Sequence, residues 1–299
     1  MQYLYFKSER GNFGDDINPW LWPKLFKDLN PADTYFLGIG SILHQGNKSL
    51  STIKNSEKIV FGTGLRPSKN YKRFAIDEKW DIRFLRGPLS SFSFNNNFKY
   101  ITDAAYAIRQ SGDFDKFFRQ EKKYKVSLMP YFHSVEHFDW QSICNSLGYH
   151  YISPYSENGV EFTIKEIAAS ECLISEAMHG AILADILRVP WHRFILTTPY
   201  TEGERISEFK WSDWLYSIEK FDHEPTYIPF YRKSQVNLLV RKATFNIVNV
   251  EFLIKNRVVD EIISKLSCIT EFDLSQDQVI NRIDEKLGFE VSSLIKCYK

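Results

Sequence analysis

Ser175-Glu-Ala-Met-His-Gly-Ala-Ile-Leu-Ala-Asp-Ile-Leu-Arg-Val-Pro190 is the stretch whose reading decides the fold. The short apolar run before it, Cys172-Leu173-Ile174, has the length of a buried strand. Ala177, Gly180, Ala181 and Ala184 then recur at steps of three and four, with Met178, Ile182 and Ile186 beside them, which predicts a helix with a face of small residues. Such a face lets the helix lie close against a sheet. Pro190 stops it, and 191–196 reads as the next strand. The unit is a strand–helix–strand crossover with Glu176 and His179 in the first turn of its helix. A helix start in that setting offers free backbone N–H groups and a positive dipole end, which suit phosphate or carboxylate. An imidazole there adds a hydrogen bond, a proton or a charge, although a lone histidine on a helix can equally cap or pack. Gly180 tilts the reading toward a ligand: glycine weakens a first turn and is most useful where something approaches the backbone closely.

The same plan recurs toward the N-terminus. The opening strand at 1–7 runs into Gly11-Asn-Phe-Gly-Asp-Asp-Ile-Asn-Pro-Trp-Leu-Trp22, where Gly11 and Gly14 permit a tight turn and Asp15, Asp16 or Asn18 is expected to cap a helix carrying Trp20, Leu21 and Leu25. Phe36-Leu-Gly-Ile-Gly-Ser41 and Phe61-Gly-Thr-Gly-Leu-Arg66 are strand ends marked by G-x-G, which keep the crevice above a parallel sheet open. The dinucleotide fingerprint G-x-G-x-x-G is absent. A strand at 82–85 leads to Arg86, whose planar fork suits an anion, and to Pro88 at a helix start. Asp103 stands at a further strand end.

Residues 110–123 are polar and strand-free and are expected to form a linker. Asp113-Phe-Asp115 has the D-x-D form that sugar transferases use for a metal, but no apolar strand precedes it, so helix capping is the expected role. The second half restarts at 124–130, with His133 just beyond a strand end. Helices are expected at 139–147 and 164–170 and an aromatic-rich helix at 209–216; a helical tail follows from about residue 231, with helices at 238–250 and 251–266.

Bulk properties narrow the function. With 38 basic and 37 acidic residues the formal charge is +1, so a nucleic-acid partner is not expected. Four widely spaced cysteines, Cys144, Cys172, Cys268 and Cys297, suggest neither a zinc ribbon nor a disulfide framework. Lys7 and Glu9 interrupt the first apolar run too early for a signal peptide. No stretch reaches the length of a membrane span, so a cytoplasmic protein is expected, with peripheral contact at the inner membrane face as a secondary possibility carried by the basic tail. The 24 Phe, 16 Tyr and 7 Trp suit either sugar stacking or core filling.

These pieces together describe a GT-B-like α/β architecture, two Rossmann-like lobes facing a cleft. Residues 1–112 form the N-terminal lobe with the acceptor side and Arg86, 113–123 the linker, 124–225 the C-terminal lobe with a donor phosphate site at His179, and 226–299 the helical tail. In order and spacing, Gly11–Trp22, Phe36–Ser41, Phe61–Gly64, Arg86-Gly-Pro-Leu89, Thr102-Asp103-Ala104 and Ser175–Ala181 resemble the polysaccharide pyruvyl transferase family, in its bacterial succinoglycan-type branch. The resemblance covers about residues 1–215. It implies transfer of a pyruvyl group from phosphoenolpyruvate to two hydroxyls of one sugar, in a cell-surface polysaccharide or its lipid-linked precursor, as a cyclic ketal and with no further cofactor or metal. It implies donor binding by Arg86, His179 and Gly180, with Arg66 and His133 as further candidates. Catalysis falls to His179, Asp15, Asp16 and Glu176, and acceptor binding to Asn12, Asp16 and Trp211. Many members carry an arginine two residues before the histidine, where this chain has Ala177; Arg66 or His133 is the expected substitute. A GT-B glycosyltransferase using a nucleotide sugar and a non-catalytic sugar-binding protein are the competing readings.

Overall fold

Four short strands, β1 (Gln2–Tyr3), β2 (Thr34–Leu37), β3 (Glu57–Phe61) and β4 (Trp80–Phe84), lie parallel in the order β1-β2-β3-β4. In β2 and β3 the apolar runs are continuous rather than alternating, as strands covered on both faces require, and Ile59, Val60 and Phe61 are all fully buried. The helices between them are α1 (Phe13–Leu25) and α2 (Lys48–Thr52), and α3 (Pro88–Ser93) follows β4. A parallel bridge from Leu85 to Tyr100 extends the sheet edge beyond β4. The chain then enters a 3-10 helix, Ala104–Gln110, where the Asp103 carboxylate accepts the Ala105 N–H at 3.0 Å. The computed structural model describes residues 1–44, 46–67, 76–230, 242–243 and 251–299, the side chains of 251–255 excepted.

After α4 (Phe114–Phe118), a second parallel sheet is built from β5 (Tyr124–Met129), β6 (His150–Tyr151), β7 (Ser170–Ser175), β8 (Trp191–Ile195) and β9 (Thr226–Tyr227) in the order β6-β5-β7-β8-β9. Strand order reverses between β5 and β7, the kind of place where α/β sheets open a crevice. Tyr124 lies beside Ser170 and Met129 beside Ser175, so both strands end level. Helices α5 (Trp140–Leu147), α6 (Val160–Ala168), α7 (Met178–Ile186) and α8 (Glu204–Ser217) connect them. Asp139 caps α5 by accepting the Ser142 N–H, and Gly148, at φ +70°, closes it. On α7 every residue except His179 is buried. A helix apolar all round belongs inside a core, so the imidazole is its one outlet.

Two expectations shift. The helix placed at 164–170 begins earlier, at Val160, because Gly159 (φ +87°) turns the chain into it, and Ser170 already belongs to β7. Asp113 does not cap α4: its own backbone is already helical (φ −90°, ψ −9°), and its carboxylate pairs with Lys24 at 2.7 Å and Lys116 at 2.6 Å. The polar stretch 110–123 thus holds a helical turn with Phe117 buried.

One apolar cluster runs from Phe36, Phe61 and Phe84 through α1, α6 and α7 to Trp191 and Trp214. The far face of the first sheet packs on Leu50 of α2 and on Phe94 just past α3, and that of the second on α5. The tail helices α9 (Glu251–Ser267) and α10 (Asp277–Tyr298) complete these cores, α9 through Ile262 and Leu266, α10 through Ile283 and Leu287. The helix expected at 238–250 lies, apart from 242–243, outside the described residues.

Candidate active site

The carboxyl ends of both sheets open onto one cleft of ≈ 470 Å³. Its walls come from the turns after β1, β2, β3 and β4 on one side and after β5, β7 and β8 on the other. Arg86 and His179, from different sheets, both line it.

Arg86 is 1% exposed and held by its neighbours. Its Nε donates to Asp213 Oδ2 at 3.0 Å and its Nη1 to Ser41 Oγ at 2.8 Å. Asp213, on α8, also accepts the Ser90 N–H at 2.9 Å and the Ser90 hydroxyl at 2.6 Å. The helix comes so near that a Cβ on Gly87 would overlap the Asp213 backbone. The guanidinium itself lies over Gly64, where a Cβ would coincide with it. These contacts leave Nη2 buried with no hydrogen-bond partner among the described residues. A buried donor without a partner is costly, and here it belongs to a cleft-lining cation.

His179 is pressed against Gly14, whose missing side chain makes room for the ring. Its Nε2 is also buried without a hydrogen-bond partner among the described residues, as is Asp103 Oδ2; Asp103 Oδ1 is 3.8 Å from that nitrogen. Burial, followed by the charges of Lys210 and Arg86, pushes the imidazole down to about 3, so it is neutral at ordinary pH. Burial raises Asp103 to about 6 against the opposing pull of Arg86.

Asp15 hangs in the cleft from the first turn of α1. Pro19 has no N–H to give the Asp15 carbonyl, and Asn18 Nδ2 donates to that carbonyl instead, at 2.9 Å, and to Ile39 O at 3.1 Å. The turn is thereby tied to the end of β2. Asn12 Nδ2 donates to Asp15 Oδ2 at 2.6 Å. Burial pushes this carboxyl up to about 7, opposed by Lys210 and reinforced by Asp16. Lys210, from α8, donates to Glu202 at 2.6 Å, and both line the cleft.

Of the residues singled out from sequence, Asn12, Asp15, Arg66, Arg86, His133 and His179 meet in this cleft. Four others do not line it. Glu176, 1% exposed, is a clamp between strand ends: it accepts N–H groups from Tyr131, Leu196, Thr197 and Thr198 and the Ser134 hydroxyl. A carboxylate with that many donors has no lone pair left for chemistry. Asp16 accepts the Asn12 N–H at 3.1 Å and the Ser156 hydroxyl, which joins α1 to the loop after β6. Neither Asp15, Asp16 nor Asn18 is the cap; α1 starts earlier, with Asn12 at the cap position. Gly180 is small for an internal reason, since a Cβ there would strike Ser175 Oγ and lie 2.8 Å from Met129 Sδ. Trp211 is buried with Trp191 and Trp214 behind β8, its ring under the Arg193 guanidinium at 4.4 Å. Ala177 does line the cleft, and the cation that acts most strongly on His179 is neither Arg66 nor His133 but Lys210. Sequence reasoning passed over Lys210 and Glu202. The available signal was the spacing of Lys210 and Asp213, two charges three residues apart on one face of an otherwise aromatic helix.

No protein-family model matches the chain. It is 32% identical over 249 residues to the succinoglycan biosynthesis protein ExoV of Rhizobium meliloti (strain 1021), covering 82% of this chain and 72% of that protein. Among solved structures, an uncharacterized protein from Klebsiella pneumoniae subsp. pneumoniae NTUH-K2044 is 15% identical with a TM-score of 0.44, over 76% of this chain and 92% of that one. The wall teichoic acid polymerase TagF is 12% identical with a TM-score of 0.32, over 88% of this chain and 73% of that one. At such scores the two structural likenesses decide nothing.

Proposed function

The chain belongs to the polysaccharide pyruvyl transferase family, in its succinoglycan-type branch, and on that premise we propose that it moves a pyruvyl group from phosphoenolpyruvate to two hydroxyls of a sugar. The product is a cyclic ketal on a cell-surface polysaccharide or its lipid-linked precursor. ExoV is named for succinoglycan biosynthesis, which supports a role in polysaccharide assembly. One observation carries the donor assignment: Arg86 and His179 reach a single cleft from two sheets, each with a buried nitrogen that lacks a partner among the described residues.

The reaction asks little beyond proton transfer and charge. Phosphoenolpyruvate is compact and strongly anionic, and Arg86 Nη2 and the Lys210 ammonium are the cations that face it. Protonation of C3 makes C2 electrophilic, and Asp15, a carboxyl that holds a proton near neutral pH, supplies that proton. The first sugar hydroxyl attacks C2 while neutral His179 takes its proton. As an imidazolium the same residue returns it to the departing phosphate. The second hydroxyl then closes the ring and its proton recharges Asp15. Two hydroxyl protons are lost; one ends in the new methyl group and one on phosphate. In the GT-B-like description that goes with this reading, 1–112 is the acceptor-side lobe, 113–123 the linker, 124–225 the donor-side lobe and 226–299 the brace.

Incubating candidate glycosides with phosphoenolpyruvate tests the proposal by mass spectrometry. The expected result is a ketal-bound pyruvyl adduct with one phosphate released per adduct. Nucleotide release from a nucleotide sugar, with phosphoenolpyruvate untouched, would overturn it in favour of glycosyl transfer.

A further inference from the structure

Lys210 and Glu202 form an ion pair inside the cleft, at 2.6 Å, with side chains only 20% and 13% exposed. Nothing in the proposed chemistry requires a carboxylate there. It faces the site's cations: Lys210, Arg66 and Arg86 together hold the Glu202 carboxyl below the ordinary glutamate range even though burial alone pushes it up. Its attachment differs from that of the other buried carboxylates. Glu176 is fixed by backbone N–H groups of four residues and Asp213 by Arg86 and Ser90. Glu202 is instead held by the Lys210 ammonium, a flexible side chain. Glu202 also sits in a single π-helical turn, Pro199–Gly203, which ends on Gly203 at φ +96°. Such turns are rare and concentrate at functional sites. Lys210, by contrast, is mid-helix on α8, three residues from the Asp213 that anchors Arg86.

We propose that Lys210 is an oxyanion-binding residue of the cleft and that Glu202 is its built-in counterion, displaced when an oxyanion of the donor arrives. The inference rests on the reading of the cleft as a site for a phosphorylated, anionic donor. A ligand oxygen takes the place of the Glu202 carboxylate on the ammonium, and the π-helical turn carries the freed side chain outward. Glu202 thus competes with the donor for the same cation. That competition lowers the apparent affinity by the fraction of molecules in which Lys210 is occupied.

Inorganic phosphate is the probe, titrated calorimetrically into the full chain so that the result does not depend on turnover. Glu202→Gln keeps the shape and removes the charge; it is expected to bind phosphate about tenfold more tightly than the parent. Adding Lys210→Met to Glu202→Gln is expected to reverse that gain, and the paired change avoids leaving either charge alone in the cleft. Phosphate affinity in Glu202→Gln equal to or below that of the parent overturns the proposal, and so does a gain that survives loss of Lys210. If the phosphate results are as expected but no ketal forms from phosphoenolpyruvate, the counterion exchange stands and the donor assignment falls. If the ketal forms while Glu202→Gln leaves phosphate binding unchanged, the reverse holds.

Discussion

A methyl group at position 64 would occupy the volume of the Arg86 guanidinium, and one at position 14 the volume of the His179 ring. Neither glycine has a positive φ, so alanine fits both backbones and acts only through the side chain it expels. Gly64→Ala is expected to raise the KM for phosphoenolpyruvate, and Gly14→Ala to lower kcat by about 10²-fold, the usual result of misplacing a reacting group by an ångström. Gly64→Ala should also lower the thermal midpoint, since the guanidinium it expels is half of the buried pair with Asp213, whereas Gly14→Ala should leave it close to that of the parent. Asp15 yields a pH prediction. Its folded value of about 7 stands above the ordinary 3.8. Between those values the folded chain keeps a proton that the unfolded chain releases, so stability falls as pH rises from 4 to 7 and is level beyond. Asp15→Asn should therefore match the parent in thermal midpoint at pH 4, exceed it at pH 8, and be inactive at both. Activity of the parent should decline above pH 7 as the C3 acid loses its proton; a rate still climbing there would exclude Asp15 from that role.

Among the elements, α8 and α7 hold Arg86, Lys210 and His179 in place in the cleft. Asp213 joins α8 to the turn after β4, with both partners of its ion pair buried. Asp213→Ala removes one member of a buried pair, a change that costs about 3–5 kcal/mol, and should both lower the thermal midpoint and weaken donor binding as Arg86 loses its orientation. Gly180→Ala should cost about 1–3 kcal/mol by overpacking α7 against Ser175 and Met129, while phosphate affinity in the folded fraction stays the same. Which parts of the site were readable follows from how local their causes are. The glycines at strand ends, the crossover around His179 and Arg86 at its turn are set by neighbours a few residues away, so their spacing announces them. Glu176 and Asp16 lie outside the cleft lining, a difference the sequence cannot show because an acidic residue near a helix start looks alike whether its partner is a substrate or a distant protein group. Glu176 is bonded to Tyr131 and to Thr197, and Asp16 to Ser156. Lys210 was missed for the complementary reason: α8 is aromatic on several sides, and its sequence does not say which side meets the cleft.

For the whole molecule the tail is structural support for the core. Arg109, at the end of the 3-10 helix that Asp103 caps, pairs with both oxygens of Asp284 on α10 at 2.9 and 2.8 Å. Asp185 on α7 accepts the Ser275 N–H at 2.8 Å just before α10 begins. Val279, Ile280, Ile283, Leu287 and Leu294 are buried along that helix. At roughly 1.5–3 kcal/mol each, they account for a sum comparable to the whole stability of a domain, about 5–15 kcal/mol. Deleting 277–298 should accordingly abolish cooperative unfolding and send the chain into aggregates; a soluble, cooperatively folding truncation would refute the bracing role. Among the described residues no helix is long and apolar enough to cross a membrane. Composition pointed to a helical tail but not to its docking, since the residues that receive it lie far earlier in the chain, Asp185 by 90 positions and Arg109 by 175.

Two of the cleft's cations are bolted to one rod. Lys210 grows from α8, and Asp213, a single turn further along, grips Arg86 from the opposite sheet. Although the chain assigns Arg86 and Lys210 to different halves, the helix makes them a single rigid jaw whose width is set by its pitch. An anion that bridges the two would meet cations whose spacing is fixed before it arrives.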